Sequence, residues 1–384
     1  MRQVILAVGL CMSVPAIAQN KIEFYGILDA GLVHHQQKIT HQNKIEKHTK
    51  TGFQDSTRSG THWGLRGQER LNSDLNATFQ LEGGFNLSQG QSTQGGRLFG
   101  RQATLGLAGK FGRLNMGRQT NLADNFVGIL DPFEAGWGQA TVAQTFGDAI
   151  SYRYDASIKY ITPSFSGLQL GLMLTPYSET EISDLTQKHK KKSHLFSLGG
   201  YYEHEYIQVG ASYEKTYNKE EIYKDNKQKA KRKNAYSWNI GAVVTPHKLR
   251  YHLMYGKQRH GLVGDSAGLA GRLIDSDISP ISGKEMYQKG LKLDAWLVGL
   301  SYPVTGYSNL YFSYQGNRLK NNRYAQGKAK TNIFSAAYLF QLSSRTALYS
   351  SVSYGRGKLT AKPHIEDTMR IRSTEITFGL NHRF

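Results

Sequence analysis

Between residues 120 and 150 the chain reads TNLADNFVGILDPFEAGWGQATVAQTFGDAI, with Asp124, Asp131, Glu134 and Asp148 and no Lys, Arg or His. The rest is strongly basic: 48 Lys and Arg against 29 Asp and Glu give a formal charge of +19. Arg113 and Arg118 precede the acidic stretch, and Arg153 and Lys159 follow it. Carboxylates facing cations across a narrow, low-dielectric gap set up a transverse field that sorts ions, with no bond made or broken. Covalent chemistry finds no such footing. The chain has 13 His, but no GxSxG, no HExxH and no His pair at ligand spacing, so neither an enzyme, a metal site nor a cofactor is expected. Asp131-Pro132 has the form of a turn start, which leaves a structural role open for Asp131. Any of the four carboxylates could instead cap a turn or pin the segment to Arg118 or Arg153. Phe133 and Trp137 are expected to pack the segment against its surroundings.

The N-terminus sets the compartment. Arg2, an apolar run over Val4–Val14 and the small-x-small triplet Ala16-Ile17-Ala18 form a secretory signal, 1–18, with cleavage before Gln19. A lipoprotein signal at Cys11 would put Leu10 where a small residue is needed. Cys11, the single cysteine, leaves with the signal, so disulfides are excluded. Export argues against nucleic acid as the partner of this basic chain. No 18-residue apolar run follows the signal, which excludes transmembrane helices and leaves 19–384 to strands.

Period-2 alternation outlines about sixteen strands. The first covers 22–34 and the second 61–67, where Trp63 and Leu65 oppose His62, Gly64 and Arg66. Others follow at 74–87, 97–108, 111–119, 151–162 and 168–177, and the last is 371–384. Short turns at Gly109-Lys110, 163–167, 245–247, 303–306 and 342–344 alternate with long connections. The latter include a polar loop of about 24 residues after the first strand, the stretch 120–150, Lys-rich loops near 188–194 and 217–233, and a Gly-rich loop at 258–288. An even strand count with every second connection short predicts an all-β fold, a transmembrane antiparallel barrel with both termini periplasmic. Lys159 and Ser157 oppose Ile158 and Tyr160 and are expected in the lumen. Arg101 is in phase with Ala103 and Leu105, so a lumenal Arg101 requires a bulge or a start above the lipid band. Lys292 and Asp294 fall in phase with Trp296 and Val298, which leaves that strand's register open. The Lys-rich loops are read as solvated, holding phosphates of outer-leaflet lipopolysaccharide electrostatically.

The stretches FYGILDAGL (24–32), GLRG (64–67), ATFQLEGGFN (77–86), LFGRQATLGLAGKFGRLNMGRQ (98–119), SIKYITPSFSGL (157–168) and FGLNHRF (378–384) resemble the general porins of beta-proteobacteria, including the neisserial type. The resemblance implies a homotrimer of 16-stranded outer-membrane barrels whose third extracellular loop, here 120–150, folds inward as a constriction. It implies that the terminal Phe384 contributes to recognition by the barrel assembly machinery. Members often carry Arg where this chain has His62, which leaves the opposing wall less basic at neutral pH. The function expected is passive diffusion of ions and small hydrophilic solutes, with anions preferred. The acids of 120–150 then face a basic wall of Arg66, Arg101, Arg118, Arg153, Lys159 and His62. The alternative is a substrate-selective channel with a saturable site at the constriction.

Overall fold

The computed structural model describes residues 21–183, 187–224, 227–264, 266–287, 289–323, 327–361 and 367–384. The signal segment 1–18 lies outside the described residues. Seventeen strand segments form one sheet: β1 (Lys21–His41), β2 (Lys44–Asp55), β3 (His62–Arg70), β4 (Leu75–Gly84), β5 (Gln102–Gly109), β6 (Gly112–Thr120), β7 (Arg153–Ile161), β8 (Leu168–Ser183), β9 (Gln187–His204), β10 (Ile207–Lys224), β11 (Lys227–Val244), β12 (Arg250–Arg259), β13 (Lys292–Thr305), β14 (Ser308–Asn321), β15 (Gly327–Gln341), β16 (Thr346–Ala361) and β17 (Thr368–Arg383). β2 pairs with the second half of β1 and β3 with its first half, so the two share one position. The result is a closed antiparallel barrel of 16 strands, sealed where β1 meets β17 from Ile27↔Arg383 to His41↔Met369.

One face of each strand carries exposed apolar side chains, such as Leu105, Leu170, Leu253, Phe334 and Phe378. Among the described residues, no helix is long and apolar enough to cross a membrane. Strands cross instead, since closure leaves no backbone edge unpaired in lipid. The alternate residues face inward, and many are small or polar.

The short turns fall where alternation predicts them, at 110–111, 162–167, 245–249, 306–307 and 342–345. The opposite ends differ. The polar loop expected after residue 34 is instead the upper half of β1 paired with β2. The Lys-rich loops are continuous strand in β8–β11, of up to 18 residues. About 10 residues span the bilayer, so the rest of these strands stand in water. The sequence there has no apolar beat of two, and such a strand reads as loop.

Two long connections carry helical structure. The stretch between β6 and β7 holds α1 (Leu122–Phe126), α2 (Ala143–Phe146) and three short 3-10 turns. The stretch between β12 and β13 holds α3 (Gly268–Ile274) and α4 (Gly283–Met286). Buried apolar residues of both connections join a cluster that includes Ile39, Leu293, Leu319, Ile333, Leu359 and Ile371.

Candidate functional site

The segment 121–152 is tied at its base. Asn121 caps α1 by accepting from Asp124 N at 3.1 Å, and its amide donates to Ala149 O at 3.0 Å, joining the two ends. Lys159 is buried and donates to Thr120 O at 3.0 Å and Asn125 Oδ1 at 2.8 Å. It faces inward as expected, and its ammonium is spent on anchoring the segment.

From that base the segment runs along inward-facing glycines. A Cβ at Gly171 or Gly199 would meet the Phe126 ring at 2.7 Å, and one at Gly210 would collide with the Phe126 carbonyl. A Cβ at Gly241 would meet Leu130 at 3.0 Å, at Gly256 Phe146 at 2.8 Å, and at Gly299 Pro132 at 2.6 Å. These glycines lie opposite the exposed apolar rows of their strands, so the segment touches the inner face over β8–β13. Polar contacts accompany the close fit. His252 Nδ1 lies 2.8 Å from Leu130 O, Gln315 donates to Ala140 O at 2.7 Å, and Asn317 donates to Thr145 O at 2.7 Å.

The tip, 131–140, docks across the barrel seam. Asp131 is buried and accepts from Phe133 N (3.2 Å), Ala135 N (3.0 Å) and Val142 N (3.3 Å). Burial pushes its carboxyl up to about 7 despite these donors. Glu134, Ala135 and Trp137 all have positive φ, at 52°, 55° and 67°. Such strain in non-glycine residues persists only where contacts over-determine the backbone. Here Phe133 and Trp137 bury themselves against Tyr311 and Tyr349, and Arg58 lies over Trp137 at 5.3 Å. Gln139 N donates to Glu375 Oε1 at 2.7 Å.

Arg58 belongs to a buried hub that the sequence did not reveal. Asp29, fully buried, accepts from Arg58 N (2.9 Å), Tyr349 OH (2.9 Å) and Asn381 Nδ2 (2.8 Å), with Thr57 also in reach. The Arg58 guanidinium donates to Asn381 Oδ1 and reaches Glu134 at 3.6 Å. No periodicity marks such a set, because its members lie in four separate parts of the chain.

The structure divides the predicted residues. Asp124 is half-buried beside Arg153, Lys159 and Arg101; burial raises its carboxyl and those three cations pull it back down. Arg101 precedes β5 rather than lying in it, and from there its Nε reaches Glu82 Oε1 on the inner face at 2.5 Å. Its carbonyl accepts from Arg153 Nε at 3.1 Å. His62 is buried, with Nδ1 2.7 Å from Gly60 O and Nε2 3.7 Å from Glu82. Arg66 shares that face but pairs with Glu23 near the short-turn end. Arg118 lies elsewhere. It pairs in register with Ala103, in phase with exposed Leu105 and Met116, and its guanidinium binds Asp155, which also takes Arg97. The register shifts between Gly117↔Ser157 and Gln119↔Tyr154, with the extra residue on β7 where Ala156 has positive φ, and this puts Asp155 on the outer side with Arg118 instead of in phase with Ser157 and Lys159. Asp148 accepts from Ser266 N at 3.2 Å in the β12–β13 connection, so it joins two segments.

That second connection was read from sequence only as a Gly-rich loop. Leu269, Leu273 and Ile274 of α3 and Met286 of α4 are buried, and Leu269 lies 2.9 Å from a Cβ built on inward Gly355. The helical spacing of Leu269, Ala270, Leu273 and Ile274 was the available signal. Among the described residues, no three His, Cys, Asp or Glu are grouped to hold a metal ion.

Phe384 closes the seam. Its backbone exchanges hydrogen bonds with Gly26 at 3.2 and 3.1 Å, and its ring lies 5.4 Å from Phe24.

Comparisons agree with this architecture. An outer membrane porin protein of Bordetella pertussis is 32% identical over the full length of both chains, and the major outer membrane protein P.IB of Neisseria sicca is 25% identical over both. Among solved structures, the anion-selective porin from Comamonas acidovorans superimposes with a TM-score of 0.67 at 19% identity, over 95% of this chain and 100% of that one. OmpF of Salmonella typhi gives 0.59 at 16% identity, over 95% and 98%. The family model for Gram-negative porins matches residues 4–360, and the chain belongs to that family, an outer-membrane β-barrel channel.

Proposed function

We propose that the protein is a general diffusion channel for ions and small hydrophilic solutes, narrowed by the segment 121–152 and preferring anions. The observation that carries this reading is the run of inward glycines over β8–β13 that fits the segment to the wall while its tip docks on the Asp29–Arg58 hub. Arg101 and Arg153, beside Asp124, supply the positive side of the field, and Arg58 and Glu134 form a second charge pair at the tip. Cations on a low-dielectric wall attract anions more strongly than the same cations do in the outer loops, where salt screens them. In the same reading the chain is exported by its 1–18 signal, assembles as a homotrimer with both termini periplasmic, and presents Phe384 to the assembly machinery.

The buried fit of a second connection against the wall favours one other reading, a substrate-selective channel with a saturable site in the remaining passage. Planar-bilayer recordings separate the two. The first predicts conductance linear in KCl concentration, and a reversal potential of anion sign in a KCl gradient that moves toward zero in Arg101→Gln/Arg153→Gln. Cation preference in the parent protein would refute the anion reading. Saturating conductance would replace general diffusion with selective uptake.

A further inference from the structure

On the outward face, the upper ends of β13–β17 and β1 reverse the usual barrel polarity. Leu293, Leu319, Ile333, Leu359 and Ile371 point inward and are buried under the two inserted connections. The alternate positions, which lower down are apolar, carry exposed cations. Cross-strand register assembles these into rows. In one row Lys292 opposes Lys320, which opposes Lys328. In the next, Arg318, Lys330, Lys358 and Arg370 stand opposite one another on four adjacent strands. In the third, Arg356 opposes Arg372, which opposes Lys38 of β1. All ten are exposed. The one carboxylate in these rows among the described residues, Asp294, is held by Arg259 at 2.7 Å.

Like charges directly opposite one another in a sheet are destabilising, so rows of this kind need counter-anions. Their position identifies the source. On the same outward face, two to four residues nearer the short turns, lie Trp296, Tyr314, Phe334 and Tyr354, followed by Val298, Phe312 and Val352. An aromatic row above an apolar band marks the lipid interface. At roughly 3.4 Å per residue, the cations stand on the order of 10 Å above it, at the level of lipid head groups rather than acyl chains. The Arg318 guanidinium lies 5.8 Å over the Trp296 ring, holding it at that boundary. Four strands at about 4.8 Å spacing make the central row long enough for more than one phosphate.

We propose that this face binds a multiply phosphorylated lipid head group of the outer leaflet, with Arg318, Lys330, Lys358 and Arg370 as its central contacts. The proposal rests on the outer-membrane location and not on the channel reading. It places phosphate recognition on the strand face, where register fixes the cations, instead of on the connecting loops.

The test uses the folded full-length mature protein in zwitterionic detergent, with binding followed by native mass spectrometry. The probes are diphosphoryl lipid A, monophosphoryl lipid A, phosphatidylcholine and inorganic phosphate. The parent is expected to bind the diphosphoryl lipid at least tenfold more tightly than the monophosphoryl lipid, with affinity falling steeply between 50 and 300 mM NaCl (about tenfold or more). Lys330→Gln/Lys358→Gln/Arg370→Gln should lose about tenfold or more in affinity while keeping folded gel mobility and single-channel conductance. Lys21→Gln/Lys110→Gln, which removes exposed cations at the opposite end, should bind as the parent does. Equal binding by the triple variant would overturn the proposal, as would an equal loss in the double variant, which would reduce the effect to net charge. Displacement of the lipid by inorganic phosphate at low millimolar concentration would assign the face to free anions and overturn the lipid assignment.

Discussion

Asp131 offers the sharpest test of how the inserted segment is held. Asp131→Ala leaves the buried N–H groups of Phe133 and Val142 and the half-buried one of Ala135 without their acceptor. A buried donor without a partner costs about 1–3 kcal/mol. The Val142 bond is the longest of the three, so the total is about 3–5 kcal/mol, charged to the tip and not to the barrel. Three kcal/mol shifts a docking equilibrium by roughly a hundredfold. The positive φ angles at Glu134, Ala135 and Trp137 add to the drive to undock once the hydrogen bonds go. Protein reconstituted in liposomes at pH 6 should then show faster protease cleavage within 131–142 and flickering single-channel currents. Asp131→Asn, which keeps one carbonyl oxygen, should fall between the parent and Asp131→Ala. The carboxyl also makes docking depend on pH. Its folded value, about 7, lies above the ordinary one, so the folded form holds the extra proton. Its contribution to docking is therefore full below about pH 4 and lost as pH rises through 7. Cleavage of the parent should accelerate from pH 5 to pH 8, and that of Asp131→Asn should not. Unchanged cleavage and conductance in Asp131→Ala would refute the assignment of Asp131 as the tip's anchor.

Gly210→Val should lower the urea midpoint of the refolded barrel by an amount equivalent to about 1–3 kcal/mol, because the new Cβ meets the Phe126 backbone. Gly306→Val, with nothing within 4 Å, should leave the midpoint unchanged. Asp148→Ala removes the acceptor of Ser266 N, at a cost of about 1–2 kcal/mol, and should speed tryptic cleavage between residues 260 and 291 without altering heat-modified gel mobility. Phe384→Ala keeps the backbone bonds to Gly26 and loses the ring contact with Phe24, worth about 1 kcal/mol. Refolding in detergent should be nearly unaffected while outer-membrane yield in cells falls several-fold; a parallel loss in both would make the residue's role purely structural.

The strand count and the short turns were legible because lipid imposes one requirement on every strand, an apolar beat of two, and sequence preserves it. Where that requirement lapses, legibility lapses with it. The upper halves of β1 and β8–β11 carry polar and basic residues without an apolar beat of two and so read as loops. In β13–β17 the beat continues above the bilayer with its sign inverted, because inserted helices make the inside apolar. That explains why Lys292 and Asp294 stand in phase with Trp296. Charge in 120–150 located the segment, but charge alone does not say what a carboxylate accepts. Asp131 collects backbone N–H groups, Asp148 joins another connection, Glu134 finds Arg58, and only Asp124 lies beside Arg101 and Arg153. Arg118 was assigned by proximity in sequence, although alternation already puts it in phase with exposed Met116; what coordinates add is the bulge in β7 that brings Asp155 out to meet it.

The hub at Asp29 has a consequence for the order in which the molecule is built. Its partners Tyr349 and Asn381 are 320 and 352 residues away in the chain. The tip's other acceptor, Glu375, lies on the last strand. The landing site for the tip therefore exists only when the C-terminal strand has met the first. Contacts of such separation come late and slowly, after the entropy of closing the whole loop has been paid. The same event that completes the cylinder therefore completes the landing site of the segment's tip. Until the final strand arrives the tip has no place to dock, so closure of the barrel and fixing of the segment's tip form a single step.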